Sequence, residues 1–210
     1  MKQPLIYILI LVTLLTACTA RTVYNKQLVQ ADSLMEQYPD SALHLLENIP
    51  SDTLKTKADS AYYALLLTQA RDKNYIVQMD DSLIWTAVCY FDSVGDLNKQ
   101  ARAYYHWGSV YRDKGEYPTA IDRYLAALSR ITPPANGKLR SKLYSNLGYL
   151  YYIQGQKTEA DSIYHQAELL ALQQADTLGL CYALTQQGMI NLEKGKGYYP
   201  KAERFKLKYS

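Results

Sequence analysis

Apolar residues recur along this chain at spacings of three and four, and the recurrence is written twice in the same order. Tyr104, Trp107, Gly108 and Tyr111 fall on one face of a helix, and Ala120, Tyr124 and Ala127 fall on one face of a second. Forty residues further on, Tyr144, Leu147, Gly148 and Tyr151, then Ala160, Tyr164 and Ala167, repeat the pattern in register. Gly115 and Gly155 lie between the paired stripes, where a left-handed C-cap is needed. Gly108 and Ala120 are small enough for the two helices to approach closely, with Tyr111 and Tyr124 filling the space on either side. A hairpin of this kind cannot bury its apolar face alone and must stack on a neighbour. The pattern predicts an all-α solenoid of stacked helical hairpins with a period of about 40 residues.

The small-and-large order Trp107-Gly108-x-x-Tyr111, Ala120, Tyr124, Ala127 resembles the signature of the tetratricopeptide repeat (TPR) family, and Gly148, Tyr151, Ala160, Tyr164 and Ala167 match it again. The period departs from that family's 34 residues. The surplus falls after the second helix, at Ile131–Gly137 and Gln173–Gly179, so longer helices or loops there would alter the pitch of the array.

The rest of the chain divides around these two units. Residues 96–135 and 136–175 are the clear repeats. Residues 51–95 read as a degenerate copy, with Ala64 in the place of Tyr104, Leu67 in that of Trp107, Thr68 in that of Gly108 and Ala87 in that of Ala127. Residues 24–50 read as a capping hairpin interrupted by Pro39, with Asp40 or Ser41 as its second cap. Ser51 or Asp52 is expected to cap the next helix and Asp96 the one after it. Asp81-Ser82-Leu83 recurs as Asp161-Ser162-Ile163, near the start of each hairpin's second helix, where an acidic group favours the free N–H groups. A further repeat, 176–210, opens at Cys181 and is incomplete: Tyr199-Pro200-Lys201-Ala202 echoes Tyr117-Pro118-Thr119-Ala120, and the sequence ends within that helix.

The first residues are a sorting signal. Lys2 gives a positive start and Pro4–Leu15 an apolar or neutral run. Twelve residues of helix rise about 18 Å, short of a bilayer core of about 30 Å, so residues 1–17 fit a signal peptide better than a membrane span. Leu15-Thr16-Ala17-Cys18 resembles a bacterial lipobox. That resemblance implies cleavage before Cys18, a fatty acid such as palmitate on its sulfur, and a lipidated tether at 18–23. An ordinary signal peptide ending beside a cysteine is the alternative. Thr19 in place of an aspartate leans, in the terms of that class, toward the outer membrane and the periplasmic side of the envelope. Cys89 and Cys181 fall in different repeats, where a disulfide is out of reach; buried free thiols are expected.

Composition and motifs exclude much else. Net charge is +3, and the one basic block is Lys201–Lys208, so nucleic-acid binding is not expected. His44, His106 and His165 sit in three different hairpins, with no metal-ligand spacing and no cofactor motif nearby; His106 is expected to pack half-exposed. No phosphate loop or nucleophile elbow occurs, and Asp80, Asp81 and Asp176 read as helix-start residues. An enzyme is not expected. Tyrosine (21 residues) outnumbers phenylalanine (2) and so fills the aromatic positions of the repeats, leaving hydroxyls free for water or a ligand.

Function must then lie on a surface. In TPR proteins the first helix of each hairpin lines the concave face. Carried over where the repeat is clear, this resemblance implies a partner-binding groove of Arg102, Tyr105, Ser109 and Arg112, then Lys142, Ser145, Tyr149 and Tyr152, then Tyr182, Thr185 and Met189. Such a surface suits a peptide, with tyrosines for stacking and Arg or Lys for a carboxylate. Tyr149 and Tyr152 are equally readable as packing against the next hairpin. The expected role is a lipid-anchored protein- or peptide-binding scaffold at the cell envelope. The alternatives are the sensory region of a longer signalling or transcription-regulating protein, like the periplasmic TPR regions of such proteins, and an accessory lipoprotein of outer-membrane assembly or uptake.

Overall fold

A computed structural model describes residues 22–132 and 136–193. The signal peptide, Cys18, the start of the tether, Pro133-Pro134-Ala135 and the echo at Tyr199-Pro200 lie outside the described residues.

The described residues form nine helices and no strand: α1 (Lys26–Leu34), α2 (Pro39–Glu47), α3 (Lys57–Lys73), α4 (Ser82–Val94), α5 (Leu97–Asp113), α6 (Tyr117–Ser129), α7 (Gly137–Ile153), α8 (Lys157–Gln174) and α9 (Thr177–Glu193). The long first helices α3, α5, α7 and α9 begin at 57, 97, 137 and 177 and are each 17 residues long, so the 40-residue period is a structural one. Each hairpin packs on the next: α3 with α4, α5 with α6 and α7 with α8 within pairs, and α2 with α3, α4 with α5, α6 with α7 and α8 with α9 between them. The surplus over 34 residues is spent in two ways. After α6 it is a connection, and in the next unit α8 runs on to Gln174 instead.

The glycines do what their positions require. Gly115 and Gly155 have φ of 76° and 75°, and Glu116 and Gln156 N–H reach back to the carbonyls of Tyr111 and Tyr151 to close α5 and α7. Gly108 lies under the ring of Tyr124: a Cβ there would sit 2.6 Å from Cδ1 and Cε1 and 3.2 Å from the Ala120 carbonyl. Tyr124 and Tyr164 are the largest fully buried side chains among the described residues.

Several local expectations are corrected. Ser51–Thr53 is a short 3-10 turn. Thr56 caps α3 instead, accepting from Asp59 N–H at 3.0 Å, while the Asp59 carboxylate accepts from Thr56 Oγ1 and from Asn25 N–H. Asp96 caps α5 as expected, accepting from Lys99 N–H. Pro39 is the first residue of α2, because an N1 proline has no N–H to leave unpaired. Asp81 precedes α4, whereas Asp161 lies inside α8, so that sequence echo is not a structural one. Cys89 and Cys181 are exposed, since Ile84, Ala87, Val88 and Phe91 take the inner stripe of α4.

Candidate partner-binding face

The first helix of each hairpin carries the face expected to be the inner one of the stack. Its register positions recur every 40 residues, so Arg102, Lys142 and Tyr182 form one row, Ser109, Tyr149 and Met189 a second, and Arg112, Tyr152 and Leu192 a third. What these rows meet changes along the stack.

On α5 they meet the chain's own carboxylates. Arg102 makes a two-pronged contact with Asp32 of α1, at 3.1 and 2.6 Å, and donates to Gln69 Oε1 at 2.7 Å. Tyr62 donates to the same Asp32 at 2.5 Å. Burial pulls the Asp32 carboxyl upward, but its bonds to Arg102 and Tyr62 and the Arg102 charge outweigh this and hold it below the usual range. Nearly three turns further along α5, Arg112 donates to Asp72 of α3 at 2.9 Å and to Asp113. Ser109 Oγ donates to Asp72 at 3.4 Å, and His106 Nδ1 lies 3.3 Å from it. Burial opposes ionisation of Asp72, yet His106 and Arg112 together bring its pKa to about 2. Burial also pushes the His106 imidazole down, against the pull of Asp72.

These facts correct the roles expected for four residues. Arg102 and Arg112 were expected to hold a ligand carboxylate; Asp32, and Asp72 with Asp113, already occupy them. Tyr105 and Ser109 were expected to face a partner and are buried, Tyr105 accepting from Asn146 Nδ2 and Ser109 sharing a hydrogen bond with the Tyr124 hydroxyl. His106 is buried, not half-exposed. For Arg102 the cause is the amino-terminal hairpin, whose Asp32 on α1 reaches across to α5; for Ser109, His106 and Arg112 it is Asp72 of the neighbouring helix α3. Glu36, just past the end of α1, reaches Lys73 at 3.2 Å and Lys142 of α7 at 3.6 Å. Between these contacts runs a groove of about 400 Å³ lined by Asp32, Glu36, Arg102, Tyr105, His106 and Lys142.

On α7 and α9 the same rows open. Tyr149, Tyr182 and Met189 are 48%, 39% and 44% exposed. Tyr152 takes the packing role: it is half-buried against the cluster of Ala160, Tyr164 and Ile190. Lys142 stands where the charged half gives way to the aromatic half. Burial and the nearby Lys73 lower its pKa, with Glu36 opposing them. Ser145 is half-buried and Thr185 exposed.

The signature aromatics of α5 serve a different side. Trp107 Nε1 and Tyr111 Oη donate to Asp81, at 2.9 and 2.8 Å. Trp107 packs against Trp85 of α4 and under the Arg123 guanidinium of α6, 3.9 Å from the ring centre; Arg130 lies 3.8 Å over Tyr104. Sequence reasoning missed Asp32, Glu36, Gln69, Asp72 and Asp81. The register held one clue: Asp32, Asp72 and Arg112 fall in line at 40-residue intervals, an acid one repeat before a base. Among the described residues no cluster of His, Cys, Asp or Glu could hold a metal ion, and no helix is long and apolar enough to cross a membrane.

No family model and no curated protein matches the sequence. Among solved structures, the chain is similar to a kinesin-light-chain-like protein of Podosopora anserina built of nearly identical TPR-like repeats. The identity is 17%, the match covers 81% of this chain and 86% of that one, and the TM-score is 0.56. The stacked hairpins with their glycine caps and buried small-on-aromatic contacts are thus a TPR-like repeat fold.

Proposed function

We propose that this protein is a non-enzymatic scaffold that binds an extended segment of a partner protein on its inner face and is held to the bacterial cell envelope by a lipid on Cys18. One observation carries the binding reading. The register rows pass from self-paired or buried on α5 to exposed aromatic or apolar residues at Tyr149 of α7 and at Tyr182, Met189 and Leu192 of α9. Tyr149 and Tyr182 supply large rigid contact area at low entropic cost, and Met189 adapts to what lies against it. Lys142 is the cation beside them: it keeps a long, exposed contact with Glu36 at 3.6 Å, and its 42% exposed side chain leaves room for a partner's carboxylate. The lipid anchor is supported by the Leu15-Thr16-Ala17-Cys18 run and by the short apolar stretch before it. The periplasmic side of an outer membrane is the location this reading favours.

The binding test is photo-crosslinking in intact cells from position 149, with the exposed Asp122 of α6 as the opposite-side control. The expected result is a discrete protein adduct from 149 that is lost with Tyr182→Ala or Lys142→Glu. An adduct from 122 with none from 149 overturns the inner-face reading. For the anchor, metabolic labelling with an alkynyl fatty acid should mark the wild-type chain and not Cys18→Ser. An unlabelled wild type, or a labelled Cys18→Ser, refutes it.

A further inference from the structure

The long first helices draw their amino-terminal caps from one register. Thr56 caps α3, Asp96 caps α5, and Asp176 accepts from Gly179 N–H at 3.0 Å at the start of α9. Asn136 holds the same register in front of α7 and is of a residue type suited to capping, yet its side chain makes no cap. Its backbone is left-handed, φ 56°, and its Oδ1 accepts from Asn98 Nδ2 at 3.3 Å instead. Arg140 N–H donates to the Asn136 carbonyl, whereas the N–H groups of Gly137, Lys138 and Leu139 find no acceptor among the described residues. Those three groups carry the positive end of a 17-residue helix.

This start of α7 lines the groove of about 400 Å³, and so do Gln69 of α3 and His106 of α5, which are only 7% and 4% exposed. A guanidinium only donates, so the Gln69 oxygen must be the atom that faces Arg102. The Gln69 amide nitrogen is thereby left to the groove, and among the described residues it has no acceptor. A donor in so buried a side chain is ordinarily paired, and here the pairing oxygen must come from the groove. The charge there is positive. Arg102, Lys138 and Lys142 line the groove against Asp32 and Glu36. Asp32 is held by Arg102 and Tyr62, and Glu36 by Lys73 and Lys142. Lys138 is exposed and makes no ion pair among the described residues. Burial and Lys73 already work against the charge on Lys142, a cost that an anion beside it would relieve.

We infer that the start of α7 binds the phosphate group of a small soluble phosphate ester, whose hydroxyl oxygens accept from the Gln69 amide. Free N–H groups at a helix start converge on a tetrahedral oxyanion. Lys138 and Lys142 add point charges to them. Two-pronged recognition of a planar carboxylate needs a guanidinium, and Arg102 is already engaged by Asp32 and Gln69. A volume of about 400 Å³ is that of a small-molecule site and far more than a bare ion fills. The site does not depend on the partner-binding reading: Tyr149 and Tyr182 do not line this groove.

The test is titration of the full chain with glucose-6-phosphate, read by calorimetry and by heteronuclear NMR. Expected are shifts of the Gly137, Lys138 and Leu139 amides and of the Gln69 side-chain amide, with glucose binding about tenfold more weakly or worse. Asn136→Asp sets a carboxylate against the free N–H groups, so it should weaken the ester about tenfold or more. Its Tm should stay at or above that of wild type, since an acidic group suits a helix start. Lys138→Glu changes an exposed side chain and should weaken the ester by a similar factor at unchanged helical circular dichroism. Tyr149→Ala should bind the ester as wild type does, which separates this site from the partner-binding rows. No shift at the α7 amides, equal affinity for glucose, or full affinity in both Asn136→Asp and Lys138→Glu overturns the proposal. Inorganic phosphate binding as tightly as the ester would mean an adventitious ion only, and overturns it too. So does a chain that ignores the ester but sediments with phosphatidylglycerol vesicles unless it carries Lys138→Glu, which would assign the phosphate to a lipid.

Discussion

Replacing Asp72 by asparagine tests the self-pairing of the inner face directly. The substitution keeps the shape and removes the charge from a carboxylate that accepts from Arg112 at 2.9 Å and Ser109 at 3.4 Å and lies 3.3 Å from His106. The wild-type pKa falls from 3.8 to about 2. At about 1.4 kcal/mol per unit, that shift corresponds to about 2.5 kcal/mol of stability at neutral pH. Breaking a buried pair costs about 3–5 kcal/mol in general. Arg112 keeps Asp113 as a second partner and is a quarter exposed, so the lower end applies, about 2.5–3 kcal/mol. The sign with pH follows from the depressed pKa. The contribution is present above pH ~4 and is lost as pH falls toward 2, with about half gone at pH 3. His106 acts in the same direction: its buried neutral form loses stability as pH drops below about 6.5, where the unfolded chain takes up the proton first. Urea titrations of wild type and Asp72→Asn from pH 7 to 3 should show a gap that narrows with acid, at unchanged m value. A difference under ~0.5 kcal/mol at pH 7, or one that does not change with pH, would refute the hub.

Further outcomes follow from single contacts. Gly108→Ala should destabilise by about 1–3 kcal/mol despite the ~1 kcal/mol alanine gains in a helix, because its Cβ meets the fully buried Tyr124 ring at 2.6 Å; a rise in Tm would contradict this. Tyr75→Gly should stabilise by about 1 kcal/mol and raise Tm by several degrees, since the φ of 58° is then free of strain; no rise would mean the ring packs where it is now open. Asp81→Ala removes the acceptor of both Trp107 and Tyr111 and should cost about 1–3 kcal/mol. It should also shift the fluorescence of the two tryptophans, Trp85 and Trp107; an unchanged spectrum would show the indole bond to be immaterial.

What was legible in the sequence is what repeats locally. Gly115, Gly155, Asp96 and the Gly108–Tyr124 pair act within one hairpin, so spacing alone places them. The candidate face was legible only as a row of positions. Whether Arg102 is open or occupied depends on Asp32, 70 residues away, and the state of Lys142 depends on Glu36, which no periodicity connects to it. Cys89 was misread for a related reason: α4 is apolar on more than one side, and its pattern does not say that Trp85 and Cys89 are the ones turned outward. The late start of α4 was hidden because the 40-residue spacing of α3 and α5 is kept while α4 is displaced within it.

The ties from α1 across to α5 and α7 change how this array should come apart. A stack held only by adjacent units frays from either end with similar ease, because each terminal unit has one neighbour to lose. Here the amino-terminal hairpin cannot peel away without breaking Asp32–Arg102 and Glu36–Lys142, contacts that skip over one unit and two units respectively. Among the described residues α9 shows no such brace, and the buried clusters beside it are Ala160–Tyr164–Ile190 and Ala171–Leu180–Leu184. Within the described units, α9 should therefore release before α1 in native-state exchange. The open aromatic rows lie at that looser end, so a partner seated there would tighten the part of the molecule with most freedom to lose.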